Sequence, residues 1–304
     1  MAPVSLGSVT VRVPAKVNLQ LAVGPLREDG FHELATVFHA VGLFDDVTAG
    51  PADGIELAIA GEGADQVPAD ANNLAWKAAA ALAAHAGVEA NVRLHLDKRI
   101  PVAGGMAGGS ADAAGTLLAC DALWQLHTPR TELMHLAATL GSDVPFALQG
   151  GTAIGTGRGE QLTPALTKGS FHWVFALADG GLSTPAVYAE CDRLRAGMTI
   201  PSPYVSDMLM QALRAGDPIL LGKALDNDLQ AAAISLRPSL AQVLEFGEDF
   251  GALGGVVSGS GPTCAFIARD LDQATDLAVA LTSTGLTRTV TTASSPAPGA
   301  RIVA

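Results

Sequence analysis

PVAGGMAGGSADAAG, residues 101–115, sets six glycine or alanine residues around Met106, follows them with Ser110 and runs directly into an alanine-rich segment. A backbone that wraps a phosphate must bring consecutive N–H groups together with no Cβ between them; glycine allows this best, alanine next. Where such a loop opens a helix, the unpaired N–H groups of the first turn and the positive end of the helix dipole point at the same anion. Gly104, Gly105, Gly108, Gly109 and Ser110 lead into Ala111-Asp112-Ala113-Ala114, so the stretch reads as a phosphate cradle. Tight packing of a helix start against a strand selects the same small residues, and the loop alone leaves both readings open.

Other glycine signatures fit less well. The Gly222-Lys223 pair is followed by Ala224 and has no glycine five positions earlier, so it is no Walker A loop. Gly108-Gly109-Ser110-Ala111-Asp112 misses the nucleophile elbow GxSxG by its last residue. A serine hydrolase built on Ser110 stays open as a disfavoured alternative, as does a nucleotide-binding protein without catalysis. Asp249-Phe250-Gly251 spells the protein-kinase DFG, but no HRD loop precedes it.

Outward from the loop, alternation at Val9, Val11 and Val13 and again at Leu19, Leu21 and Val23 predicts strands around a Pro-Ala-Lys interruption. Residues 55–60 and 91–100 also read as strands. Between them LAWKAAAALAAHA predicts a helix, with Asn72 or Asn73 as its cap and Gly87 at its end. Helices are expected over 111–126 and from Thr128-Pro129 to Gly141. The C-terminal half predicts helices over 218–234, 240–246 and 271–286, strands over 264–268 and 287–292, an apolar run over 173–178 and a loose tail, SSPAPGAR. The class is α+β. A turn-rich, then polar, stretch over 150–170 marks a boundary, which divides the chain into 1–165 and 166–304.

The 304 residues are 49% hydrophobic and 16% charged, enough for a sizeable core. With 18 basic residues among 30 acidic ones and a net charge of -12, a nucleic-acid surface is not expected. Cys120, Cys191 and Cys264 form no CxxC pair, so neither a disulfide framework nor a zinc site is predicted and a reducing cytoplasm fits. No signal peptide and no bilayer-crossing run is read. Oligomeric state is not legible.

Four motifs occur in order: PAKVN at 14–18, the glycine loop at 101–115, GSDVP at 141–145 and SGSGP at 258–262. Together they resemble the GHMP small-molecule kinases, over about residues 13–267. The resemblance implies a two-domain fold, with an N-terminal ribosomal-protein-S5-like ATP-binding domain and a C-terminal ferredoxin-like, substrate-binding domain. It also implies ATP with Mg²⁺ as cofactors. REDGFHELATVF and GSDVPFALQGGTAIGTGRGE resemble the branch whose acceptor is a small alcohol carrying a cytidine diphosphate group. The rival inside the family is another small-alcohol kinase, such as a mevalonate or homoserine kinase.

The same resemblance assigns roles. Lys16 and Asp143 are expected as the catalytic pair, since phosphoryl transfer to an alcohol needs a carboxylate for the hydroxyl proton and a cation beside the transferring charge. Without the resemblance, a buried ion pair joining the first strand to the turn after the 128–140 helix would explain both. Gly104, Gly105, Met106, Ala107, Gly108, Gly109 and Ser110 are expected to hold ATP phosphates, with Ser110 also the one candidate for Mg²⁺. Asn73 and Lys98 are expected near the nucleoside of ATP. Asn18, Phe31, His32, Tyr188, Gly259 and Ser260 are expected at the acceptor, with Phe31 and Tyr188 sandwiching a pyrimidine. His32 and His39 are not expected to form a metal pair. The loop departs from the family's usual PxGGGLGGGSS at Ala103, Met106, Ala107 and Ala111. Ala107 matters most, because alanine enters the positive-φ region only with strain.

Overall fold

The computed structural model describes residues 7–102 and 104–304, so the departure at Ala103 lies outside the described residues. Two long antiparallel strands, β1 (Val9–Leu26) and β2 (His32–Gly50), open the chain. Their register shifts at Pro14/Ala15 and again at Asn18/Gln20. The predicted interruption is therefore a pair of irregularities within one strand, and they re-aim the residues between them, Lys16 included. β3 (Ile55–Gly61) runs parallel to β4 (Val92–Lys98), with α1 (Leu74–Ala86) connecting them. Asn73 caps α1 by accepting from the Ala75 N–H at 2.8 Å, and Gly87 ends it in the left-handed region at φ 67°.

Three helices follow, α2 (Gly108–Leu123), α3 (Arg130–Leu140) and α4 (Val144–Gln149), then the hairpin β5 (Thr152–Thr156) and β6 (Gln161–Pro164). The small residues of α2 let it lie against the first sheet: a Cβ at Gly115 would stand 2.7 Å from both Val13 and Val47 side chains. Close packing thus explains the far part of the small-residue run.

The second half contains β7 (Phe171–Leu177), α5 (Thr184–Leu194), α6 (Asp207–Ala215), α7 (Pro218–Ala224), β8 (Asp226–Asn227), α8 (Gln230–Leu236) and α9 (Ser239–Asp249). It ends with β9 (Gly254–Val257), β10 (Cys264–Ala268), α10 (Leu271–Ser283), β11 (Thr289–Ser295) and β12 (Arg301–Ile302). The second sheet has the order β11-β7-β10-β9, all antiparallel. Helices join its first strand to its second and its third to its fourth, which is the split βαβ, ferredoxin-like pattern. Phe171, Trp173 and Phe175 enter one core while Val174 and Ala176 enter another. A sheet covered on both faces explains why this strand reads as an unbroken apolar run.

The helix expected over 218–234 is instead α7 and α8 separated by β8, which pairs in parallel with β1. Asn227 breaks it: its amide donates to the Val257 and Gly259 carbonyls, both at 2.7 Å, and its oxygen accepts from the Leu229 N–H. A side chain so committed to backbone competes with helix. The tail expected to be loose is also anchored, since Ala297 bonds to the backbone of Ala40 and Gly151 and β12 pairs with β1. The first sheet therefore takes two short strands, β8 and β12, from beyond residue 165. His39 bonds Thr152 at 2.7 Å and Ser295 at 2.6 Å, tying β2 and β5 to β11; burial pushes its imidazole down to about 3.

Candidate active site

Lys16 projects from β1 between the two register shifts, and its own N–H donates to the Met106 carbonyl at 3.3 Å, fastening the strand to the glycine loop. Its Nζ donates to Asn18 Oδ1 at 2.5 Å and stands 3.8 Å from Asp143 Oδ2. Asn18 donates onward to Thr36 Oγ1 at 2.8 Å, and Thr36 to the Gln20 carbonyl at 2.7 Å, so the chain of bonds fixes the amide with its oxygen toward the lysine. Asp143 occupies the position before α4, with Pro145 in the first turn. Its carboxylate makes no capping bond there and is left for Lys16 and the cleft. The Lys16 side chain is 7% exposed and that of Asp143 27%. Burial draws the Lys16 ammonium below the ordinary lysine range, with Asp143 opposing that fall.

The pair opens into a cleft of about 350 Å³. Gly104, Gly105, Ala107, Gly108, Gly109 and Ser110 line one side; Gly259 and Ser260 come from the second domain. Loop and turn interlock. A Cβ at Gly105, where φ is 73°, would collide with the Ser258 carbonyl, and Ser258 Oγ donates to the Gly105 carbonyl at 3.1 Å. Gly259 is left-handed at φ 58°, and a Cβ there would sit 3.3 Å from Lys16 Nζ, so glycine lets the turn approach the ammonium without strain. Ala107 adopts φ 61°, the left-handed conformation that the family's glycine would take without strain, and no side chain caps α2 there. The first N–H groups of α2 therefore lack side-chain acceptors, which suits an anion.

Asn73 and Lys98, expected near the nucleoside, take scaffold positions, and Met106 serves the loop through its backbone alone. Met106 has its side chain fully buried and offers only backbone. Asn73 spends its amide on the α1 cap and on the Pro68 carbonyl at 2.7 Å, and does not line the cleft. Lys98 also lies outside the lining. It is 2% exposed and clamped at 2.5 Å by both Asp45 and Asp112, just under the start of α2. Asp45 accepts in addition from the Arg99 and Ile100 N–H groups. Burial works against the Lys98 charge, but the two carboxylates more than offset it and hold its pKa above the usual range. Burial raises the Asp112 carboxyl, with Lys98 opposing, and its Oδ1 has no hydrogen-bond partner.

Phe31, His32 and Tyr188 gather around a second pocket of about 650 Å³ that adjoins the cleft. The arrangement differs from a simple Phe31–Tyr188 sandwich. Tyr188 stacks on His32, with centroids 5.2 Å apart, while the Arg158 guanidinium lies 4.7 Å over Phe31. His32 is held by Asp192 at 2.9 Å. Thr36, Phe38, Ser142, Arg158 and Thr184 line the cleft and were not singled out from sequence. Of these, only Arg158, a cation flanked by glycines in TGRGE, carried a signal that could have found it. Among the described residues lining the cleft none is a histidine, so a hydrolase built on Ser110 lacks its usual base. No group of three or more metal-ligating side chains occurs among the described residues.

A glycine-rich loop at a helix start beside a lysine–aspartate pair, closed by a small-residue turn from a ferredoxin-like domain, is the arrangement of a small-molecule kinase. The family models for the GHMP kinases N terminal domain and the GHMP kinases C terminal match residues 73–151 and 209–286, and the chain belongs to the GHMP kinase family. Within it, two curated relatives and one solved structure carry the same enzyme name. A 4-diphosphocytidyl-2-C-methyl-D-erythritol kinase from Streptomyces avermitilis is 60% identical over 296 residues, covering 97% of this chain and 100% of that protein. One from Mycobacterium tuberculosis (strain ATCC 25618 / H37Rv) is 57% identical over 300 residues, covering 99% of this chain and 94% of that protein. A crystal structure of 4-(cytidine 5'-diphospho)-2C-methyl-D-erythritol kinase superposes with a TM-score of 0.77 at 33% identity, covering 93% of this chain and 98% of that one. A homoserine kinase from Cytophaga hutchinsonii, at 18% identity and TM-score 0.76, shares the fold.

Proposed function

We propose that the protein transfers the γ-phosphoryl group of ATP to the 2-hydroxyl of 4-diphosphocytidyl-2-C-methyl-D-erythritol, a step in the non-mevalonate route to isoprenoid precursors. The observation that carries this reading is the adjacency of the two pockets: the Lys16–Asp143 cleft and the aromatic pocket of Phe31, His32 and Tyr188 share five lining residues. An acceptor with a pyrimidine at one end and an alcohol at the other spans both.

In this mechanism the backbone of Gly104–Ser110 and the start of α2 hold the ATP phosphates. Asp143 accepts the proton of the attacking hydroxyl as its oxygen bonds to the γ-phosphorus and ADP departs. Lys16 pairs with the Asp143 carboxylate and offsets charge on the transferring group. Asn18 holds Lys16 in place, and Gly259 and Ser260 cover the acceptor from the second domain. Mg²⁺ would be held by the phosphate oxygens with the Ser110 hydroxyl as the one protein ligand, since that ion is usually bound through few protein groups, and it would supply charge neutralisation at the phosphates. The three free, buried thiols support a reducing cytoplasmic setting, and no helix among the described residues is long and apolar enough to cross a membrane.

The test is ADP formation from ATP, measured side by side with cytidine-diphosphate-linked alcohols, mevalonate and homoserine. Turnover of the linked alcohol is expected. Turnover of a free alcohol in its place would move the protein to another branch of the family.

A further inference from the structure

The catalytic cleft and the aromatic pocket share a wall. Leu34, Ser142, Arg158, Thr184 and Tyr188 line both, and on that wall Arg158 is the single charged side chain, accompanied by three hydroxyls. The turn between β5 and β6 presents it. Gly157 and Gly159 flank it in left-handed conformations, the Arg158 N–H donates to Glu160 Oε2 at 2.7 Å, and the Leu34 N–H donates to the Gly157 carbonyl at 2.8 Å. The backbone is thereby anchored, and the guanidinium lies over the Phe31 ring within electrostatic reach of Asp29. Among the described residues Arg158 enters no ion pair, whereas Arg27, Arg193 and Arg195 are each held by a carboxylate.

We propose that Arg158 is a specificity residue that grips the diphosphate of the acceptor and so selects phosphorylated nucleosides over neutral ones. The inference rests on the reading of the two pockets given under Proposed function. A base among the aromatics and a hydroxyl at Asp143 require the linking diphosphate to cross the shared wall. A dianion passing so close to the Asp143 carboxylate, in a chain of net charge -12, needs a local cation. Lys16 stands beside Asp143 and Asn18 at the reacting end of the cleft, so in this reading its charge serves the transferring phosphoryl group and not the linker. A guanidinium is planar: it can stack on the Phe31 ring and offer paired N–H groups to two phosphate oxygens at once. One side chain thus joins the base-binding wall to the charge of the linker.

The test is calorimetric binding of CDP and of cytidine to the full chain, with the ATP site saturated by a non-hydrolysable ATP analogue, in the wild type, Arg158→Met and Arg158→Lys. The wild type is expected to prefer CDP. Arg158→Met should lower CDP affinity about 10- to 100-fold while changing cytidine affinity less than about threefold, with Arg158→Lys recovering part of the loss. In turnover the KM for the acceptor should rise far more than kcat falls. Equal losses for CDP and cytidine would limit Arg158 to bracing Phe31 and overturn the assignment, as would an unchanged CDP affinity. A wild type that binds neither ligand would instead overturn the cytidine diphosphate reading beneath it.

Discussion

Lys16 and Lys98 lie in the same domain, each buried and each facing aspartate, yet their surroundings differ in the feature that separates scaffold from chemistry. Lys98 is saturated, with a carboxylate at 2.5 Å on two sides and its pKa held above the usual range. Lys16 faces one carboxylate at 3.8 Å, with a cleft beside it, and burial pulls its pKa down. A saturated ammonium is fixed in place, whereas a loosely paired one has charge left for a transition state. Burial alone does not distinguish the two; the unspent capacity of the partner does.

The comparison can be broken most directly by activity. Asp143→Asn should lower kcat about 10²- to 10⁴-fold while leaving affinity for an ATP analogue intact, and near-normal turnover would remove Asp143 from the mechanism. Stability is the next test. Lys98→Met leaves two buried carboxylates facing each other and should destabilise by roughly 3–5 kcal/mol in urea unfolding. Lys16→Met, whose partner can be solvated, should cost about 1 kcal/mol or less while abolishing most turnover. Equal stability losses would mean that both pairs are scaffold.

pH sharpens the contrast. In the proposed mechanism Lys16 acts as a cation, and burial holds its pKa below the ordinary lysine value of 10.5. Activity should therefore fall as pH rises through a value below 10.5, whereas Lys98, whose pKa is raised, stays charged across the same window. An alkaline limb at or above 10.5 would contradict the burial argument. The smallest effect concerns the loop. Ala107→Gly relieves a left-handed alanine at φ 61° and should raise stability by up to about 1 kcal/mol in thermal unfolding, with turnover kept.

Much of this was legible in the chain. The Asn73 cap and Gly87 stop of α1, the alternation in β1 and β4 and the end of α3 at Gly141 depend on neighbours close in sequence. The pairing of Lys16 with Asp143 was reachable only through four motifs in order, since each alone describes an ordinary ion pair or turn. Other positions depended on partners far along the chain. The 218–234 helix breaks because Asn227 meets Val257 and Gly259 across the fold. The tail is ordered because β1 offers it an edge. Arg158 reaches the shared wall because the β5–β6 turn packs against β2.

By itself the sequence determined the kind of chemistry: small residues that free main-chain N–H groups for phosphate, and a lysine and an aspartate in recognisable settings. Only the tertiary structure decided which lysine is spent and which remains available. The reason is physical, since the charge a side chain can offer depends on every group within a few ångströms, and those groups come from distant strands that no local pattern brings together.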